Sequence, residues 1–123
     1  MEEKSELLFG ELVSRIRSCS RIAADMVCGK DESKSDEAAS YRTLRKYLNT
    51  DEAMRAFERV VVDICQSLTH SILVMLDGGS ALAEHFLIAL IDRETKEELL
   101  PAGTYHELFT CYLIEHADEI TKT

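Results

Sequence analysis

Between Glu3 and Cys28 the apolar residues Leu8, Leu12, Ile16, Cys19, Ala23 and Met26 recur every three or four positions. That is the period of one helix face, and Gly29 supplies a left-handed stop. The nine residues GKDESKSDE (29–37) contain nothing apolar and predict a mobile charged loop. A shorter helix over 37–48 follows, with Ser35 as its cap, Asp36 and Glu37 in its first turn, and Tyr41, Leu44 and Leu48 on one face. Asn49 opens a second start signal, with a capping side chain and a glutamate three residues on. The series Met54, Phe57, Val61, Ile64, Leu68, Ile72 and Met75 then predicts a long helix over 51–76. Eleven of the seventeen residues from Val60 to Leu76 are apolar, so this helix is expected at the centre with the others wrapped around it.

Asp77-Gly78-Gly79 follows the last periodic residue and reads as an exit from that helix, because glycine takes positive backbone angles without steric cost. FLIALI (86–91) is continuously apolar, and periodicity alone does not separate a strand from a helix there. Its shortness and the polar DRETKE that follows favour an antiparallel β-hairpin near 86–100; a helix over 81–100 is the alternative. Pro101-Ala102-Gly103 interrupts, and Thr104 with Glu107 forms the pattern of a capping box. The final helix, 104–119, turns Tyr105, Leu108, Phe109, Tyr112 and Leu113 inward. The expected class is therefore α+β: about four helices around a long central one, plus a short hairpin, with an all-α bundle as the alternative. No repeat or linker divides 1–123, which is read as a single domain.

Charge narrows the partners. Residues 1–50 balance nine acids with nine bases, whereas 51–123 carry fourteen acids and five bases, so the net −9 lies wholly in the second part. Such a field repels nucleic acid and anionic membranes, and attracts a basic protein. Six of those nine bases, Arg15, Arg17, Arg21, Arg42, Arg45 and Lys46, lie on the first two predicted helices but carry no recognition-helix pattern. Neither a membrane span nor a basic-then-apolar leader is read, which predicts a cytoplasmic protein. Cys19, Cys28, Cys65 and Cys111 are too scattered for a zinc set and are expected to be reduced and buried.

Candidate chemistry centres on four histidines. His70, His85, His106 and His116 are 15, 21 and 10 residues apart, so no two share a helix face at ligand spacing. Any metal would be gathered from separate elements, with His70, His85 and His106 as the ligands and Asp77 beside them. Arg59, Asp63, Gln66, His70 and Asp77 form one polar stripe; with Gly78 and Gly79 they are the candidate binding residues, and a plain solvent face is the other reading. Ser67, Ser71, His70 and Asp63 supply hydrolase residue types without a nucleophile elbow. DGGS (77–80) lacks the Gly-Lys-Ser/Thr ending of a phosphate loop. No cofactor is expected. Without a catalytic constellation, the expected function is a small acidic, non-enzymatic binding or interaction protein of accessory type, with a homodimer as one form. A neutraliser of a basic protein and a small metal-dependent hydrolase are the alternatives.

Overall fold

The computed structural model describes residues 2–30 and 36–118. Four helices form: α1 (Glu2–Cys28), α2 (Ala38–Tyr47), α3 (Asp51–Leu76) and α4 (Tyr105–Glu115), with a short 3-10 turn at Ala81–Glu84. The expected Ser35 cap, most of the charged loop and the end of the last helix near 119 lie outside the described residues.

No strand or sheet occurs among the described residues, so the β-hairpin near 86–100 and the α+β class are corrected to an all-helical fold. The chain does double back there, but Ile91 and Glu98 make a single isolated antiparallel bridge. Pairing extends no further upstream because the Leu90 amide donates to the hydroxyl of Tyr105 at 2.8 Å, not to a facing strand. The reversal is held by Asp92, whose carboxylate accepts from the amides of Glu94 (2.9 Å) and Thr95 (3.3 Å). Lys96 supplies the left-handed residue, at φ 64°. A helix over 81–100 does not form either.

The chain divides into two compact units, Met1–Ser14 with Ser67–Thr123, and Arg15–Gln66. In the first, Phe9, Val13, Leu73, Leu100, Tyr105 and Phe109 are buried. The Phe9 ring lies 5.4 Å from that of Phe109 and 5.6 Å from that of Tyr112, centroid to centroid, in the tilted geometry aromatic pairs prefer. The Lys4 ammonium donates to Asp92 at 2.8 Å and to Glu97 at 3.4 Å, pinning the 92–97 turn and holding the Asp92 carboxyl down at about 2. In the second unit, Ile16, Ser20, Ala24, Met26 and Val27 of α1 are buried, and the Ser20 hydroxyl donates to the Glu58 carbonyl at 3.2 Å. The Arg45 guanidinium donates to the Met26 and Val27 carbonyls, satisfying acceptors that the end of α1 leaves open.

Three expectations about packing are corrected. The buried row of α1 runs Ser5, Phe9, Val13, Ile16, Ser20, Ala24 and Val27, displaced by one position over most of its length from the apolar series in the sequence. The cysteines are free but not buried: Cys19 and Cys28 stand beside the inward positions Ser20 and Val27 and are exposed, as is Cys111, while Cys65 is half-buried. Partial burial, and secondarily Cys19 nearby, pushes the Cys65 thiol up. Finally, α3 is not wrapped, since Leu73 is its one fully buried residue.

The α3 exit is tightly folded. Gly78 has φ +88° and its amide donates to Met75; the Gly79 amide donates to Val74 at 2.9 Å. A methyl group on Gly79 would sit 2.6 Å from Val74 Cγ1 and 3.0 Å from the Val74 carbonyl oxygen. Gly79→Ala should therefore destabilise by about 1–3 kcal/mol, as overpacking does. Urea unfolding followed by circular dichroism measures this, and an unchanged midpoint would show that the turn yields freely.

Candidate functional site

The exit turn of α3 reaches across to the start of α4. Asp77, its side chain only 4% exposed, accepts from the amides of Tyr105 (2.9 Å) and His106 (2.8 Å). The same carboxylate accepts from the His106 ring through Nδ1–H. Asp77 thus caps α4 from outside the helix, and the expected Thr104–Glu107 capping box is corrected. Thr104 makes no side-chain cap bond; its hydroxyl turns back to the Pro101 carbonyl. The Asn49 cap is corrected likewise, because at the start of α3 it is the Thr50 hydroxyl that accepts from Ala53, at 3.1 Å.

Burial pushes the Asp77 carboxyl up, but the bonds from the amide and ring of His106 and from the Tyr105 amide outweigh it and hold the group below the ordinary aspartate value. With Nδ1 committed to the carboxylate, Nε2 is the ring nitrogen that Asp77 leaves uncommitted. His70 of α3 meets that ring edge-on, centroids 5.5 Å apart. Three of the sequence candidates, His70, Asp77 and His106, therefore meet.

The remaining candidates do not join them. His85 and Arg59 and Asp63 are exposed and Gln66 is half-buried, with no bond from any of the four to the cluster. Arg59 and Asp63, though four apart, form no ion pair with each other among the described residues. Gly78 and Gly79 shape the turn and touch the cluster only through Asp77. No group of three or more His, Cys, Asp or Glu side chains among the described residues is placed to hold a metal ion. The Asp77 carboxylate spends both oxygens on α4. An aspartate on Nδ1 is how hydrolases orient a histidine base, yet no hydroxyl or thiol bonds to either imidazole among the described residues. The arrangement caps and orients.

No family model matches the chain, and no curated protein and no solved structure matches it. Any functional reading therefore rests on this molecule's own surface.

That surface has a feature the residue pattern did not foretell. Along α3, Val60 (54% exposed), Ile64 (59%), Leu68 (60%), Ile72 (44%) and Met75 (37%) stand open to solvent. Successive steps of four, four, four and three keep them on one face. Beside them runs the polar row of Arg59, Asp63 and His70. Only 6% of the most apolar window of this stretch is buried, at a mean hydropathy of 1.4, and by length and composition alone it is the one helix among the described residues that could cross a membrane. The excess apolar content that suggested a central helix is real, and among the described residues this row is left open to solvent.

Proposed function

We propose that the protein is a non-enzymatic interaction protein that self-associates through the apolar face of α3. The observation that supports this is the open row Val60, Ile64, Leu68 and Ile72, since soluble chains rarely leave so continuous an apolar stripe uncovered. Two features favour a second copy as the cover. The row is spaced by fours and so is symmetric about its midpoint: an antiparallel copy sets Val60 against Ile72 and Ile64 against Leu68. This is the self-complementarity a two-fold interface requires, and rows spaced by four interdigitate in the commonest helix-packing class. From Val60 to Leu76 the sole formal charge is Asp63, so a chain of net −9 can pair there with little repulsion. Arg59, Asp63, Gln66 and His70 would lie at the rim of that contact, where polar side chains favour a protein neighbour over lipid.

Light scattering on the eluting protein tests this. The wild type is expected at twice its 13.9 kDa mass, and Leu68→Glu at the single mass, with association weakened about 100-fold or more by two unpaired carboxylates in the contact. Circular dichroism should stay unchanged, because Leu68 is 60% exposed. A monomeric wild type, a dimer indifferent to the substitution, or co-flotation with lipid vesicles would each overturn the reading.

A further inference from the structure

The first unit contains a half-open pocket of about 240 Å³ between the start of α1, the segment before α4, and α4 itself. Its apolar wall includes Phe9, Leu100, Leu108 and Tyr112. Two carboxylates, Glu6 of α1 and Glu115 of α4, also line it, and no lysine, arginine or histidine does. Neither carboxylate has a partner among the described residues. The nearby base on α1, Lys4, is committed to Asp92 and Glu97 and does not neutralise them.

We propose that this pocket binds a small organic cation: a primary ammonium group on a compact apolar or aromatic body. The chemistry of the wall divides into the two parts such a ligand has. Its body would cover the exposed Leu108, with the buried Phe9 and Leu100 completing the apolar lining, and its head would meet Glu6 and Glu115. Pockets for small molecules commonly take this form, apolar walls with a few polar groups that fix orientation. An anion of the same shape would meet two negative charges with no compensating base, and a neutral molecule would leave both carboxylates unanswered. None of the pocket residues belongs to the exposed row of α3, so this proposal and the self-association reading stand or fall separately.

Cys111 lines the same pocket, and its exposed thiol makes it a reporter. Alkylation resolved by mass spectrometry follows Cys111 against the exposed Cys19 and Cys28 as internal references. At tenfold excess over its dissociation constant, phenethylammonium is expected to slow Cys111 about tenfold and leave the other two unchanged. Phenylacetate and 2-phenylethanol, which keep the body and change the head, should give no protection at those concentrations. The double variant Glu6→Gln, Glu115→Gln should lose about tenfold in affinity for phenethylammonium while keeping its helical circular dichroism, since both residues are exposed. Isothermal calorimetry with the same three compounds gives a reading independent of the thiol. Equal protection by all three, no protection by the ammonium, or an unweakened double variant would overturn the proposal.

Discussion

Phe109→Ala is expected to cost about 4 kcal/mol, the largest single-residue loss in the molecule. The ring is 0% exposed and packs at 5.4 Å against Phe9, which also meets Tyr112. Tyr105 (0% exposed) and Leu100 (2%) are buried in the same unit. Deleting the ring removes its transfer energy and leaves a cavity that α1 and α4, each fixed by its own hydrogen bonds, fill only in part. Domains of this size hold about 5–15 kcal/mol in total, so the variant would lose a large share of its stability. Urea titration should show a lower midpoint at an unchanged slope. Phe109→Leu, which keeps most of the volume, should cost roughly a third as much. A loss under about 1.5 kcal/mol for alanine would mean that the ring is not in a packed core.

Asp77→Ala should cost about 3 kcal/mol and lower the melting temperature by about 10 °C. One carboxylate accepts two amides of the first turn of α4 and the His106 ring, and its removal leaves all three donors without it at a site where water has little access. Asp77→Asn keeps one oxygen acceptor and should fall between wild type and alanine. The pH dependence has a definite sign. Because the folded carboxyl titrates below the ordinary value of 3.8, the unfolded chain binds more protons in that window. The stabilisation is therefore complete above about pH 5, begins to decline as the pH approaches 3.8, and is lost as the pH falls through the folded value. The stability of Asp77→Ala measured between pH 2 and 5 should have a shallower acid limb than wild type. Some slope remains, since Asp92 titrates at about 2 under the influence of Lys4. Parallel limbs in the two proteins would contradict the assignment of Asp77 as a buried, hydrogen-bonded anion.

The four helices were legible because each carries a period of three to four over eight or more residues, and because Gly29 and Asp77-Gly78-Gly79 mark exits. The face of α1 was legible only to within one position. Its apolar residues form two overlapping rows, and which one turns inward is decided by partners such as Phe109, a hundred residues away. FLIALI reads as a strand because a short apolar run is ambiguous; in the fold the Leu90 carbonyl still accepts from the Leu99 amide, but the Leu90 amide goes to the Tyr105 hydroxyl and pairing stops there. The apolar content of α3 was legible as something to be covered, but a sequence does not distinguish cover by its own chain from cover by another. At the candidate site, the sequence reading places His70 and Asp77 on the polar stripe and groups His70, His85 and His106 as ligands beside Asp77; the fold brings His70, Asp77 and His106 together and leaves His85 apart. Their meeting left no trace in spacing, because the carboxylate and the ring it orients are 29 residues apart. The local Thr104–Glu107 pattern pointed to a competing cap that the fold does not use.

The external cap on α4 also bears on the order in which the molecule assembles. A helix of eleven residues is a poor candidate to hold together alone in water, and this one lacks a cap of its own. Its first turn is completed by an oxygen 28 residues back, on the turn that ends α3. Closing that loop carries an entropic cost that local contacts do not repay, so the persistent formation of α4 is tied to a long-range encounter rather than to its own nucleation. Asp77 therefore makes the start of α4 dependent on the end of α3: the amides of Tyr105 and His106 find their acceptor on the turn that closes the other helix and not within their own.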